Sequence, residues 1–289
     1  MDIALQQFIS SQLSIDRAKF NHVGGGSIND TYRIESPQFN FFCKLNSAKK
    51  YPGLFGKEKN GLEFLRGTNT LRVPGIVWCG IFEDSQILIL EWIEEGLRTE
   101  AFWKKFGEGL AKLHSSDRDG PKMFGFPENN FMGALPQDNT PSNNWVEFFI
   151  ERRLRPQIEL ALKSRLLAQK EVDLFEQLYK KLASFFPTER PAALHGDLWS
   201  GNYLCGNNSE PVLIDPAVYY GHRSMDLGMT KLFGGFDQAF YDAYDYHFPL
   251  TKNADEQADI CNLYPLLIHL NLFGSGYWGS IVSILKRYT

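Results

Sequence analysis

Cysteine is scarce and scattered. Only four occur in the 289 residues: Cys43, Cys79, Cys205 and Cys261, with no Cys-x-x-Cys pair. That spacing argues against a disulfide framework or a zinc site and suits a reducing, cytoplasmic setting. An excess of positive charge is also missing. Thirty Lys and Arg stand against 34 Asp and Glu, a formal net charge of −4, so nothing draws the whole chain to nucleic acid or to an anionic membrane. Met1-Asp2-Ile3-Ala4 opens without a basic region followed by an apolar core, so no secretory signal is expected. The most apolar stretch, Leu263 to Phe273, is interrupted by Pro265, His269 and Asn271 and is too short for a bilayer. No internal repeat or low-complexity tract is visible. What remains is an ordinary globular composition, 43% hydrophobic and 22% charged, with an aromatic content of 14% that supplies core. The length allows one large domain or two modest lobes.

The richest stretch is Leu194-His195-Gly196-Asp197-Leu198-Trp199-Ser200-Gly201-Asn202, followed by Val212-Leu213-Ile214-Asp215-Pro216-Ala217. It places Asn202 five positions after Asp197 and ends an apolar strand on a second acid, Asp215. Phosphoryl transfer from ATP asks for such groups. One carboxylate positions the attacking hydroxyl, and an amide oxygen with another carboxylate holds magnesium on the phosphates. His-x-Asp alone would be only a loop; Asn202 and Asp215 at this spacing make the enzyme reading the stronger one.

Upstream, residues 3–13 have helical spacing, and strands are expected over 20–23 and 29–34. Gly24, Gly25, Gly26 and Ser27 join them, a backbone-rich turn that could cover phosphates or be a plain hairpin. Lys44 closes the apolar run Phe39 to Leu45, the place of a phosphate-binding kinase lysine. Its candidate partner is Glu58, which shares a helical face with Leu54, Leu62 and Leu65, while Glu63 lies off that face. An inward carboxylate among leucines needs a cation. Two antiparallel strands follow, over 77–82 and 86–93, and their end at Glu91, Trp92 and Ile93 reads as a hinge offering backbone groups to an adenine edge. Trp92 either flanks the base or is a buried structural ring.

Beyond residue 93 the pattern turns helical. His114 falls on an apolar face and reads as a satisfied core histidine. Residues 117–144 read as a long irregular span, and loops of that length are usually functional. One helix is expected from Trp145 to about Lys163; Arg152, Arg153 and Arg155 give it a solvated face, or one of them faces the cleft. A further helix spans about 170–184. Asp226 opens another as its N-terminal cap or braces the catalytic loop through backbone bonds. Helices over about 237–246, 254–273 and 277–287 close the chain.

These residues resemble the fructosamine (ketosamine) kinases. The resemblance rests on 195–202, Ile214-Asp215-Pro216-Ala217, Tyr220-Gly221-His222-Arg223, Asp226-Leu227 and Phe233-Gly234-Gly235-Phe236. It extends to Asn130-Phe131-Met132-Gly133, Pro136-Gln137 and the stretch from Trp145 to Gln157, covering about Val23 to Phe236. Met132 departs from the family's more usual β-branched residue. The resemblance implies a two-lobed, protein-kinase-like α+β fold shared with aminoglycoside and choline kinases. A small antiparallel sheet, residues 1–92, would bind the nucleotide, and a mainly helical lobe, residues 93–289, would carry catalysis and substrate. It further implies ATP-dependent phosphorylation of O3 on a ketosamine, either a small molecule or a glycated protein lysine. Carried over, Asp197 is the catalytic carboxylate, Asn202 and Asp215 hold magnesium, and Lys44 with Glu58 anchors the phosphates under the Gly24–Ser27 loop. Trp199, and less directly His195, would face the sugar. An aminoglycoside- or choline-type kinase, or a silent kinase-fold binding protein, are the competing expectations.

Overall fold

The computed structural model describes residues 1–24, 28–116 and 123–289. Helix α1 (Ile3–Leu13) is capped by Asp2, whose carboxylate accepts from the Leu5 amide at 2.8 Å. It leads into strands β1 (Lys19–His22), β2 (Asp30–Glu35) and β3 (Asn40–Ser47), then helix α2 (Leu54–Gly67) and strands β4 (Ile76–Phe82) and β5 (Ser85–Glu91). The five strands form one antiparallel sheet in the order β1-β2-β3-β5-β4.

The two-residue period of a strand sorts this sheet's side chains. Ile87 and Ile89 of β5, with Cys43 and Leu45 of β3, pack under α1 beside Leu5 and Ile9. Leu88 and Leu90 turn to the other face, against Leu54, Leu62 and Leu65 of α2. Lys44 lies between Cys43 and Leu45, so it is forced onto the α2 face, where it meets the rest of the molecule.

Helix α3 (Glu100–Ser115) begins that larger, mainly helical part, and a hairpin of β6 (Asn130–Met132) and β7 (Leu135–Gln137) follows. Then come α4 (Trp145–Phe148), a π-helical turn (Phe149–Leu154), α5 (Arg155–Lys163), α6 (Gln169–Tyr179) and α7 (Leu182–Phe185). Short strands β8 (Ala192–Leu194), β9 (Tyr203–Gly206), β10 (Glu210–Leu213) and β11 (Tyr219–Gly221) pair as β8–β11 and β9–β10. Helices α8 (Ser224–Leu232), α9 (Gln238–His247), α10 (Ala254–Cys261), α11 (Leu263–Phe273) and α12 (Trp278–Tyr288) complete the chain. One aromatic-rich core joins the α2 face of the sheet to Phe102, Phe106, Tyr203 and Phe240, while a second fills the space among α4–α7 and α10–α12. Among the described residues no helix is long and apolar enough to cross a membrane.

Four expectations need correction. The span 117–144 is not wholly irregular: it contains the β6–β7 hairpin, and Phe124 and Gly125 bridge to Ser142 and Tyr220. The helix from Trp145 is interrupted by the π turn. Pro156 has no N–H and its ring crowds the preceding turn, so the Arg155 amide reaches back five residues to the Ile150 carbonyl. The helix over 254–273 is two helices, α10 and α11, with a junction at Asn262 and Pro265 in the first turn of the second. The helix over 170–184 likewise divides into α6 and α7.

Candidate active site

Lys44, Glu58 and Asp215 come from three different elements and meet at one point. The Lys44 ammonium lies 2.7 Å from Glu58 Oε1 and 2.7 Å from Asp215 Oδ1. Burial alone would lower the Lys44 pKa, but the Asp215 and Glu58 carboxylates outweigh it and hold the ammonium above its ordinary value. Burial pushes the Glu58 carboxyl up, to about 7, with the Lys44 charge opposing and the Asp215 charge adding. Asp215 itself sits two residues past β10 with φ of 54°, the left-handed region that a non-glycine residue occupies only when its surroundings hold it there.

The turn after β8 carries Asp197, and glycine is required within it. Gly196 has φ of 84°, and a Cβ there would lie 2.0 Å from the Ala217 carbonyl oxygen. Asn202 folds back over the turn: its amide nitrogen donates to the Asp197 carbonyl at 2.8 Å and to the Asp197 carboxylate at 2.9 Å. Burial pushes the Asp197 carboxyl up, the Asp215 charge adds to that, and the Asn202 hydrogen bond only partly offsets both, leaving it at about 7. A carboxylate with that value is poised to take up a proton near neutral pH.

Asp226 sits in the first turn of α8 and braces the loop rather than capping the helix. Its carboxylate accepts from the backbone amides of His195 at 2.8 Å and Gly196 at 2.9 Å. His114 touches the same carboxylate through Nε2 at 3.1 Å and Tyr244 through Nδ1 at 2.8 Å, so it is a satisfied core histidine. His195, expected near the sugar, is fully buried beneath the loop. Its Nε2 donates to the Ile214 carbonyl at 2.8 Å and its Nδ1 accepts from the Asp197 amide at 3.2 Å. Those two roles require the neutral ring, and burial lowers its pKa accordingly. His195 therefore ties the Asp197 turn to the strand leading to Asp215.

Trp199 is placed differently. It is 37% exposed and lines the same cleft as Lys44, Glu58, Asp197, Asn202 and Asp215. Phe233 meets its ring edge-on at 6.0 Å between centroids, and a Cβ on Gly201 would strike the indole at 2.3 Å. Across the cleft stand Ile28, Phe131 and Gly133.

At the end of β5 the Glu91 carboxylate turns to Arg72 and to the Gly75 amide, 2.9 Å away. Trp92 stacks beneath the Arg33 guanidinium, 4.5 Å above its ring, with Phe42 at 6.4 Å. Ile93 continues into a segment pinned where the Gly96 amide donates to the Cys205 carbonyl at 2.7 Å. Gly24 is exposed, and a Cβ there would meet nothing within 4 Å. Gly25, Gly26 and Ser27 lie outside the described residues.

Asn202 and Asp215 offer an oxygen-only donor pair, chemistry that suits a hard divalent cation. Among the described residues no group of three or more His, Cys, Asp or Glu is placed to hold a metal. Magnesium is commonly bound by one or two carboxylates, with substrate phosphates and water completing its shell, and this donor set fits that pattern.

Sequence reasoning did not find the polar layer beneath the cleft. Asn130 donates to the Val218 carbonyl at 2.9 Å and Gln137 to the Ala217 carbonyl at 3.2 Å, both gripping the segment just past Asp215. Arg153 faces neither solvent nor the cleft. It is fully buried, donates to Asn139 Oδ1 at 2.7 Å and lies 4.0 Å over the Tyr219 ring. Its position two residues after Glu151 and one after Arg152 reads as a charge run, and only the π turn swings it inward.

A family model described as fructosamine kinase matches residues 1–289. A probable ketoamine kinase of Synechocystis sp. is 38% identical over 265 residues, 92% of this chain and 88% of that protein. The chloroplastic protein-ribulosamine 3-kinase of Arabidopsis thaliana is 37% identical over 281 residues, 93% of this chain and 82% of that protein. Among solved structures, one from Thermobifida fusca, provisionally named a fructosamine-3-kinase, superposes with a TM-score of 0.87 at 31% identity. It covers 99% of this chain and 98% of its own.

Proposed function

The chain belongs to the fructosamine kinase family, and we propose that it transfers the γ-phosphoryl group of ATP to O3 of a ketosamine, a sugar adduct on an amine. The observation that carries this reading is the convergence of Lys44, Glu58, Asp197, Asn202 and Asp215 on one cleft walled by Trp199. In it, residues 1–92 form the nucleotide lobe and 93–289 the lobe for catalysis and substrate. The Gly24–Ser27 turn covers the phosphates, and backbone groups of Glu91, Trp92 and Ile93 meet the adenine edge.

Lys44, held in place by Glu58, neutralises phosphate oxygens. Asp215 and Asn202 hold magnesium, which when bound offsets the charge that builds on the transferring phosphoryl group. Asp197 orients the sugar hydroxyl and takes up its proton as the oxygen attacks in line. Trp199 gives the sugar an apolar wall. A mostly neutral wall of this kind favours a ketosamine over the polycationic aminoglycosides.

The test is ATP consumption by the purified protein with magnesium, against ribulose-, erythrulose- and fructose-derived lysine adducts beside kanamycin and choline. Turnover confined to the adducts is expected, and their ranking names the preferred sugar. Turnover confined to kanamycin or choline would overturn the ketosamine reading while leaving the phosphotransfer roles in place.

A further inference from the structure

Glu58 is useful to Lys44 only if α2 is set at the right rotation about its axis, and a side chain remote in sequence adds to the packing that sets it. Glu128 lies in the segment between Phe124 and the β6–β7 hairpin. Its carboxylate receives Lys57 Nζ at 2.5 Å on one oxygen and Asn60 Nδ2 at 2.8 Å on the other. Lys57 and Asn60 are three residues apart and so lie side by side on α2. Lys57 immediately precedes Glu58, about 100° around the helix. Holding Lys57 and Asn60 on Glu128 therefore helps to hold the direction in which Glu58 points. The apolar face of α2, with Leu54, Leu62 and Leu65 against Leu88 and Leu90, sets the helix's coarse rotation, and Glu128 adds a polar tie on its neighbouring face. Phe64 packs edge-on to Phe126 at 5.1 Å and Tyr220 at 5.5 Å, and Gly61 lies against Pro216 and Val218.

Glu128 is itself anchored to the floor of the cleft. Its carbonyl accepts from Asn139 Nδ2 at 3.0 Å, and the same amide group donates to Asn130 Oδ1 at 2.9 Å. Asn130 in turn grips the Val218 carbonyl, three residues past Asp215. A closed circuit results: Glu58 to Lys44, Lys44 to Asp215, Asp215 along the chain to Val218, then Asn130, Asn139, Glu128 and back to α2. Burial would raise the Glu128 carboxyl, but the hydrogen bonds from Lys57 and Asn60 outweigh it and hold it below its ordinary value.

We propose that Glu128 is a positioning residue: its grip on Lys57 and Asn60 keeps α2 docked with Glu58 on Lys44 before nucleotide arrives. The kinetic side of this inference rests on the phosphotransfer reading above; the docking side does not. A helix held in this way needs no separate activating event to bring Glu58 to Lys44.

The experiment compares wild type, Glu128→Ala, and the exchange Lys57→Glu with Glu128→Lys. Amide hydrogen exchange across α2 and the ATP dependence of turnover are both measured. Glu128→Ala should raise exchange in α2 about tenfold and lower kcat/KM for ATP about tenfold, while exchange in α3 stays unchanged. The exchange variant restores the ion pair with its sign reversed and should recover α2 exchange to within about threefold; Lys57 itself lines the cleft, so the catalytic readout is taken from Glu128→Ala alone. Unchanged α2 exchange in Glu128→Ala would overturn the docking role. Altered exchange with kcat/KM for ATP within twofold of wild type would overturn the link to catalysis. Faster α2 exchange in Glu128→Ala that the exchange variant leaves unrelieved would reduce Glu128 to a packing role and also overturn the proposal. If wild type turns over no substrate, the phosphotransfer reading fails, and the exchange data still decide whether Glu128 docks α2.

Discussion

At the scale of single residues, Asp197 joins the proposed proton acceptor with a source of instability. Its carboxyl sits at about 7 in the folded chain, against about 3.9 for an unperturbed aspartate. Between those values the folded chain keeps a proton that the unfolded chain has released. The associated stability is complete below about pH 4 and is lost as pH rises towards 7. Asp197→Asn has no charge to bury and can still accept the Asn202 hydrogen bond. Its melting temperature should match wild type near pH 4 and exceed it at pH 8, while turnover falls by about 10²–10⁴-fold and ATP binding persists. Wild-type kcat/KM should rise with pH to a plateau above about 7. Near-wild-type turnover, or a lower melting temperature at pH 8, would refute this account. The meeting of Asp197 and Asn202 was legible because it is set by short spacing within one loop. Of their supports, the Asp226 brace was one of two readings the sequence offered, but the partners that hold it and the other supports were not legible, because each lies far along the chain. His114 and Asp226 are 112 residues apart, Asn130 and Val218 are 88, and Lys57 and Glu128 are 71.

At the scale of elements, apolar patterning carried the sheet and most helices, since the nearly unbroken apolar runs of β3 and β5 follow directly from burial on two faces. It failed between Trp145 and Lys163, where Pro156 widens a turn that 3.6-residue spacing treats as regular. The consequence is energetic as well as geometric. The π turn buries the Arg153 guanidinium among Tyr219, Phe148 and Tyr264, with the Asp138 carbonyl at 2.5 Å and Asn139 Oδ1 at 2.7 Å as acceptors. A lysine has one charged point where this site uses a planar fork stacked on a ring. Arg153→Lys should therefore cost about 2–4 kcal/mol, a drop in melting temperature of roughly 5–15 °C. Calorimetry checks it; a change under about 2 °C would mean that the guanidinium geometry contributes little. The β6–β7 hairpin escaped the sequence for a related reason. Its strands are three residues each, too short to show alternation, and its role is carried by buried amides of Asn130 and Gln137 that read as ordinary loop polarity.

The molecule as a whole is joined at Lys44. The sheet supplies the ammonium, α2 supplies Glu58 and the helical part supplies Asp215, with Lys44 almost fully buried and Asp215 38% exposed. Removing the cation leaves Glu58 buried without a partner and facing another carboxylate. Lys44→Met should accordingly destabilise the chain by about 3–5 kcal/mol. Glu58, already raised by burial, loses the charge that opposed it and shifts higher still. In its protonated form it is tolerated, so the loss should be smaller at pH 5 than at pH 8. Adding Glu58→Leu removes the orphaned carboxylate, while Asp215 can turn to water. The double variant should therefore regain most of the lost stability at pH 8 and remain inactive. Denaturant titrations at the two pH values measure all of these quantities. Recovery of stability without recovery of turnover would show that the Lys44–Glu58 pair is retained for activity and not for holding the fold together. A single variant as stable as wild type at pH 8 would mean that the three charges do not depend on one another as their 2.7 Å contacts require.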